Sequence, residues 1–173
     1  LGSYSYHYGE QPLWIILFMS TGDEEKIDID RTPLFALVRE ITATHLFVWT
    51  MSPSGGIQST KIPLGSVGQK VSDASRIMER DLDQAMVMLN AASVAFDAAV
   101  QRWEGQVRQS EQTLKRSGKP GKLGQIVAKH NQVRPRLAPV KSVFRRAVST
   151  LQNAQIEMRR RAAAVLDKPK DEL

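Results

Sequence analysis

Histidine is the side chain best placed to move protons near neutral pH, and this 173-residue chain has three, His7, His45 and His130. They lie far apart and in no metal-ligand spacing such as His-Glu-x-x-His. Ordinary strand or surface histidines are the stronger reading. Lys129-His130 with Arg134 and Arg136 is the one cluster holding the parts of a small ribonuclease-like site, a general base beside phosphate-binding cations. Its spacing does not demand that chemistry. Asp23-Glu24-Glu25 with Asp28 and Asp30 gathers acid around one turn and strand, without the ligand spacing or glycine of a calcium loop. A solvated acidic edge that discourages strand pairing accounts for it better. Gly55-Gly56 reads as a hairpin turn, and Gly118, Gly121 and Gly124 lack the Lys-Ser/Thr that follows a phosphate loop. With no Cys there is no thiol nucleophile, disulfide or Cys-ligated metal. The sequence offers no catalytic residue, no metal site and no cofactor.

Its cations are more informative. The formal net charge is +6, but residues 115–173 carry 15 Lys/Arg against 4 Asp/Glu, while residues 1–114 carry 9 against 14. Lys115, Arg116, Lys119 and Lys122 occupy a helix connector. Lys129, Arg134 and Arg136 surround a proline turn, and Lys141, Arg145 and Arg146 follow. Arg159, Arg160 and Arg161 close the last helix, where cations suit the helix dipole. Such a set can follow a phosphate backbone or dock on an acidic protein surface, including the chain's own acidic portion. A membrane surface is a third, weaker option. The one aromatic in the segment, Phe144, falls on a helix seam, so the basic segment shows no stacking platform for single strands.

The elements that must position these residues differ between the two ends of the chain. Tyr4, Tyr6 and Tyr8 alternate with Ser3, Ser5 and His7, as in a strand with one aromatic face. Leu13–Met19 reads as a fully buried strand, Lys26–Asp30 as a half-buried one, and Leu34–Ile41 and His45–Met51 as two more. Ser52-Pro53-Ser54-Gly55-Gly56 is a turn, with Ile57–Leu64 as its returning partner. Residues 1–70 are thus expected to form a β-rich antiparallel meander.

From about Val71 the period changes. Met78, Leu82, Ala85, Leu89, Ala92, Phe96, Ala99 and Trp103 step by four and three, the seam of a helix facing a partner helix. Ser72 or Asp73 is its expected cap. Ser117–Gly121 breaks the chain, Leu123–Arg134 is a short helix, and Pro135 and Pro139 end it. The seam then returns at Val140, Phe144, Ala147, Leu151, Ala154, Met158 and Val165. Two such helices fold most simply as an antiparallel hairpin. The expected class is therefore α+β, a β-meander at 1–70 followed by a long helical hairpin at 71–173, basic from 115 onward, in one continuous structural unit. Buried seam residues would mean a self-contained hairpin, and exposed ones a partner helix.

Leu34-Phe35-Ala36-Leu37-Val38, His45-Leu46-Phe47-Val48-Trp49-Thr50, Gly56 and Lys61-Ile62-Pro63-Leu64 together resemble the opening hairpin of CHAT domains, caspase-like peptidases. The resemblance covers about 35 residues as a strand pattern, a turn and a closing Pro-Leu. In that family the working His and Cys lie in a later, glycine-rich part, which this chain does not match. The resemblance implies at most a non-catalytic relative or fragment, and no active residue is carried over.

The longest apolar run, Leu13–Met19, is shorter than the roughly 20 residues a membrane helix needs, and the flanks of a signal peptide are missing. Since the chain begins at Leu1, an initiator Met is expected before it, and a longer leader is left open. Lys170-Asp171-Glu172-Leu173 spells the ER-retrieval signal if Leu173 is the true terminus. Without an Asn-x-Ser/Thr sequon or a visible leader, the cytoplasm is the expected compartment and the ER lumen the alternative. The functional expectation is a non-enzymatic protein-interaction or assembly module, acting on a protein partner or on a second copy of itself. It would use the basic face and the seam of Leu82, Leu89, Phe96, Trp103, Phe144, Leu151 and Met158. The alternatives are a nucleic-acid-binding protein, and a small nuclease or toxin built on His130.

Overall fold

The computed structural model describes residues 28–166 and, for two short strands further upstream, their backbone. Those strands, β1 (His7–Tyr8) and β2 (Gln11–Pro12), pair antiparallel, His7 opposite Pro12 and Tyr8 opposite Gln11. The remaining expectations for residues 1–27 and the terminal Lys170–Leu173 lie outside the described residues. Of the expected Lys26–Asp30 strand, the described part, 28–30, is not strand.

The fold is α+β, as expected, but among the described residues it has less strand than the meander required. Leu34–Ile41 is helix. It lies in α1 (Thr32–Ala43), where Leu34, Leu37 and Ile41 are buried and Phe35 is 60 % exposed. Steps of three and four, with Thr32-Pro33 at the helix start, favour one helical stripe over two sheet faces. Asp30 accepts a hydrogen bond from the Thr32 N–H at 2.9 Å just before the first turn.

The hairpin that follows is where the sequence places it. In β3 (Leu46–Met51) and β4 (Ile57–Ile62), Leu46 lies opposite Ile62 and Met51 opposite Ile57. Its turn needs a left-handed residue and has one in Gly55, at φ +83°. The Ser52 N–H donates to the Gly56 carbonyl at 2.7 Å. By the alternation of an antiparallel ladder, residues 46, 48 and 50 then bond to β4, and 47, 49 and 51 turn their backbone groups to the opposite edge.

The first long helix is two helices. α2 (Val67–Ile77) buries Val67, Val71 and Ala74, and α3 (Leu82–Arg116) begins after a short break. Asp81, rather than Ser72 or Asp73, caps α3, accepting from the Gln84 N–H at 2.9 Å. Met78 lies in the break yet is buried, so the four-residue step to Leu82 hides the interruption from the heptad pattern. After Arg116 the left-handed Gly118 (φ +67°) reverses the chain. Pro120 then opens α4 (Pro120–Val133) instead of serving only as a breaker. Pro135 sits in a 3-10 turn (Arg134–Arg136), and α5 (Leu137–Leu166) follows.

By its contacts the chain divides into Leu1–Ile29 with Gln152–Leu173, and Asp30–Leu151. In the larger unit α4 and the first half of α5 run back along α3. His130 meets Glu111 on α3, Lys141 meets Asp97, and Phe144 meets Phe96 with ring centroids 5.7 Å apart. The helical hairpin is therefore α3 against a kinked return arm. Its seam residues Leu82, Leu89, Phe96, Trp103, Phe144 and Leu151 are all buried, so there they serve a self-contained hairpin. Met158, half-buried, belongs to the smaller unit.

Candidate functional site

His130 is fully buried, with 0 % of its surface exposed. Its position in α4 faces the free edge of β3, where the ladder alternation leaves the groups of residues 47 and 49 needing partners. The Trp49 N–H donates to His130 Nε2 at 3.0 Å. His130 Nδ1 lies 2.9 Å from Glu111 Oε1. An Nε2 that accepts leaves Nδ1 to carry the proton and donate to the carboxylate. On the same edge Trp103 Nε1–H donates to the Phe47 carbonyl at 2.8 Å and the Ser110 hydroxyl to the Trp49 carbonyl at 2.7 Å. Three helix side chains thus substitute for a third strand. His130 is a structural partner of β3 with both nitrogens engaged. It has no free nitrogen to offer a substrate phosphate, which removes the accessible base that a ribonuclease-like site at this position needs.

The cations around it are another matter. Lys115 and Arg116 end α3, Lys119 and Lys122 flank the start of α4, and Lys129 and Arg134 lie along and just beyond it. Arg136, Lys141, Arg145 and Arg146 continue through the kink into α5. All ten are exposed except Lys122, which is half-buried. Between Glu111 and Glu157 these ten Lys/Arg stand with no Asp or Glu. Lys141 finds Asp97 at 3.4 Å and Arg134 lies 4.0 Å from Glu111. Asp30 is held below the usual carboxylate range by the Thr32 hydroxyl and N–H, with a smaller contribution from Arg146. Among the described residues, no carboxylate comes within ion-pair reach of Lys115, Arg116, Lys119, Lys122, Arg136 or Arg145. At ~1.5 Å per residue, α4 and the first half of α5 make a cationic arm roughly 40 Å long.

Arg159 and Arg160 belong to the smaller unit. There Arg160 grips Glu157 at 2.7 and 2.8 Å, and Arg161 adds a bond of 2.8 Å. These guanidiniums drive the Glu157 carboxyl down to about 2, and the carboxylate raises the Arg160 pKa in return. Arg160 is thus partly neutralised where it stands.

The residues that a reading of the basic segment alone misses are on β3 and at its start. His45, Phe47 and Trp49 project to one face at alternate positions, with centroids 6.0 and 5.8 Å apart, and Trp49 continues to His130 at 5.6 Å. Lys61 lies opposite Phe47 and Ser59 opposite Trp49 on β4. His45 and Lys61 are exposed, and Phe47 and Trp49 are half-buried. The Lys129 ammonium sits 5.7 Å from the centre of the Trp49 ring, and the Arg134 guanidinium 5.9 Å from that of buried Trp103. The period-two aromatics from His45 to Trp49 were the available signal, on a strand remote in sequence from the cations.

A neutral groove of about 340 Å³ opens between β3 and the end of α3, lined among others by Val48, Thr50, Gln106, Gln109 and Thr113. Among the described residues no cluster of His, Asp and Glu fits a metal ion, and no helix is long and apolar enough to cross a membrane. Compared with known proteins, the chain matches no family model, no curated protein and no solved structure.

Proposed function

We propose that the chain is a non-enzymatic binding module that holds an acidic macromolecule on the arm running from the end of α3 through α4 into α5. The observation behind this reading is the run between Glu111 and Glu157, ten cations and no carboxylate, six of them without an ion pair among the described residues. Like charges held this close repel one another in the folded state. An arrangement that tolerates the repulsion is reasonable where an anionic partner relieves it. The alternative of a partner helix on the seam is less favoured, because the seam residues of the larger unit already lie inside the chain's own hairpin.

The test is binding of the full chain to labelled oligonucleotides and to polyglutamate across a salt series. The reading expects at least one polyanion to bind, with log affinity falling linearly in log salt. For a single-stranded nucleic acid the slope should be about −2.8 or steeper if four or more phosphates are neutralised at about 0.7 each. Lys115→Glu combined with Lys119→Glu should weaken binding and flatten the slope. Absence of binding to any polyanion at low salt defeats the reading.

A further inference from the structure

We propose that the acidic partner is a single-stranded nucleic acid whose bases stack on Phe47 and Trp49 while its phosphates follow Lys61, Lys129 and the basic arm. The inference rests on the preceding reading and names the partner of the same surface. Cations alone cannot distinguish a nucleic acid from an acidic protein, because both offer negative charge. The aromatic strand can, because a polypeptide carboxylate has no use for partly accessible rings, whereas every base has a π-face to lay on one.

Three observations converge on this strand. First, Phe47 and Trp49 are large rings left half-buried on one face, with the exposed ring of His45 extending the row. Fully structural rings of this size in the same unit, Trp103 and Phe96, are covered almost completely. Second, cations border the row on two sides. Lys61 stands across the hairpin from Phe47, and Lys129 reaches over Trp49 from α4. That ammonium, now 5.7 Å from the ring centre, is close enough to meet a phosphate when a base takes its place on the ring. Third, Lys129 both lies over the Trp49 ring and belongs to the basic arm, so the platform and the phosphate track meet within one unit. The strand's edge is pinned to α3 and α4 by the bonds from Trp103, His130 and Ser110. The strand is therefore held in place, and stacking need only displace the Lys129 ammonium from the Trp49 ring.

The experiment measures fluorescence anisotropy of labelled oligo(dT), an abasic oligomer of the same length, a duplex, and polyglutamate, all with the full chain. Oligo(dT) should bind more tightly than the other three. Phe47→Leu should weaken oligo(dT) roughly five- to hundred-fold, the range that loss of one base–aromatic stack spans, and leave the abasic oligomer unaffected. Trp49→Phe keeps a ring, so affinity should survive while the quenching of tryptophan emission by oligo(dT) disappears. That pair of variants, with far-UV circular dichroism as the folding control, separates lost stacking from lost structure. Equal binding of oligo(dT) and the abasic oligomer, with no quenching, overturns the stacking inference and leaves the basic-arm reading intact. Preference for the duplex or for polyglutamate overturns it in favour of a groove or a protein partner. If no polyanion binds at all, both readings fall together.

Discussion

His130 joins α3, α4 and β3 through two hydrogen bonds, and its removal should be felt as stability. His130→Ala leaves the Trp49 N–H without its acceptor and Glu111 without its donor. It also empties a site that is 0 % exposed. Truncating a buried ring typically costs about 3–5 kcal/mol, and an orphaned buried donor contributes part of that. The expected outcome is a loss of roughly 3–5 kcal/mol in urea unfolding with an unchanged slope on denaturant. His130→Gln can still accept from Trp49 and should recover part of the loss. A catalytic histidine would behave in the opposite way, with stability near wild type and activity gone. From sequence alone this distinction was out of reach. Lys129-His130 between cations looks the same whether the ring points at solvent or at a strand edge, and only the pairing of β3 with β4 shows which backbone groups needed it.

Among the elements, the legible ones declare themselves by a single unambiguous period. The β3–β4 hairpin carries its own turn chemistry, and the α3 seam repeats for six steps from Leu82 to Trp103. Leu34–Ile41 reads as a strand because it is short, apolar and capable of either period, and burial of Leu34, Leu37 and Ile41, with α1 packed on α2, decides for helix. Pro120 and Pro135 were legible as punctuation but ambiguous in sense, since a proline can open a helix as well as end one. The end of α5 offers a pH test at this scale. Glu157 has its carboxyl drawn from an ordinary 4.5 to about 2, chiefly by hydrogen bonds from Arg160 and Arg161. A depressed folded pKa means the stabilising interaction is complete above the ordinary value and lost as pH falls toward 2. The group is solvent-exposed and screened, so the effect is confined to the last turns of α5. Nuclear magnetic resonance titration of the Glu157 carboxyl should show a midpoint near 2. In Glu157→Gln the helicity of those turns should no longer respond to this window. A midpoint at 4.5 would mean the guanidinium pairing does not persist in solution.

For the molecule as a whole, charge distribution was the feature most fully legible from sequence, because counting Lys, Arg, Asp and Glu needs no fold. What counting could not supply was that the cations share an arm with a half-buried aromatic strand, a juxtaposition created by β3 docking between α3 and α4. The same arm makes a prediction independent of any partner. Ten cations without an intervening carboxylate raise the free energy of the compact state through self-repulsion. Raising ionic strength from 0.01 to 0.15 M shortens the screening length from about 30 to about 8 Å, which is shorter than much of the arm. Thermal stability should therefore rise with salt even as affinity for a polyanion falls. The expected gain in melting temperature is about 2–4 °C, the shift that ~1 kcal/mol produces in a chain of this size. Lys119→Glu with Arg145→Glu places acid at both ends of the arm and should flatten that rise while weakening polyanion binding. Differential scanning calorimetry of wild type and the double variant at the two salt concentrations checks both. Equal salt responses in the two proteins would show that repulsion along the arm is already relieved by contacts elsewhere in the chain. The cations would then be structural counter-charges rather than a surface kept open for an anion.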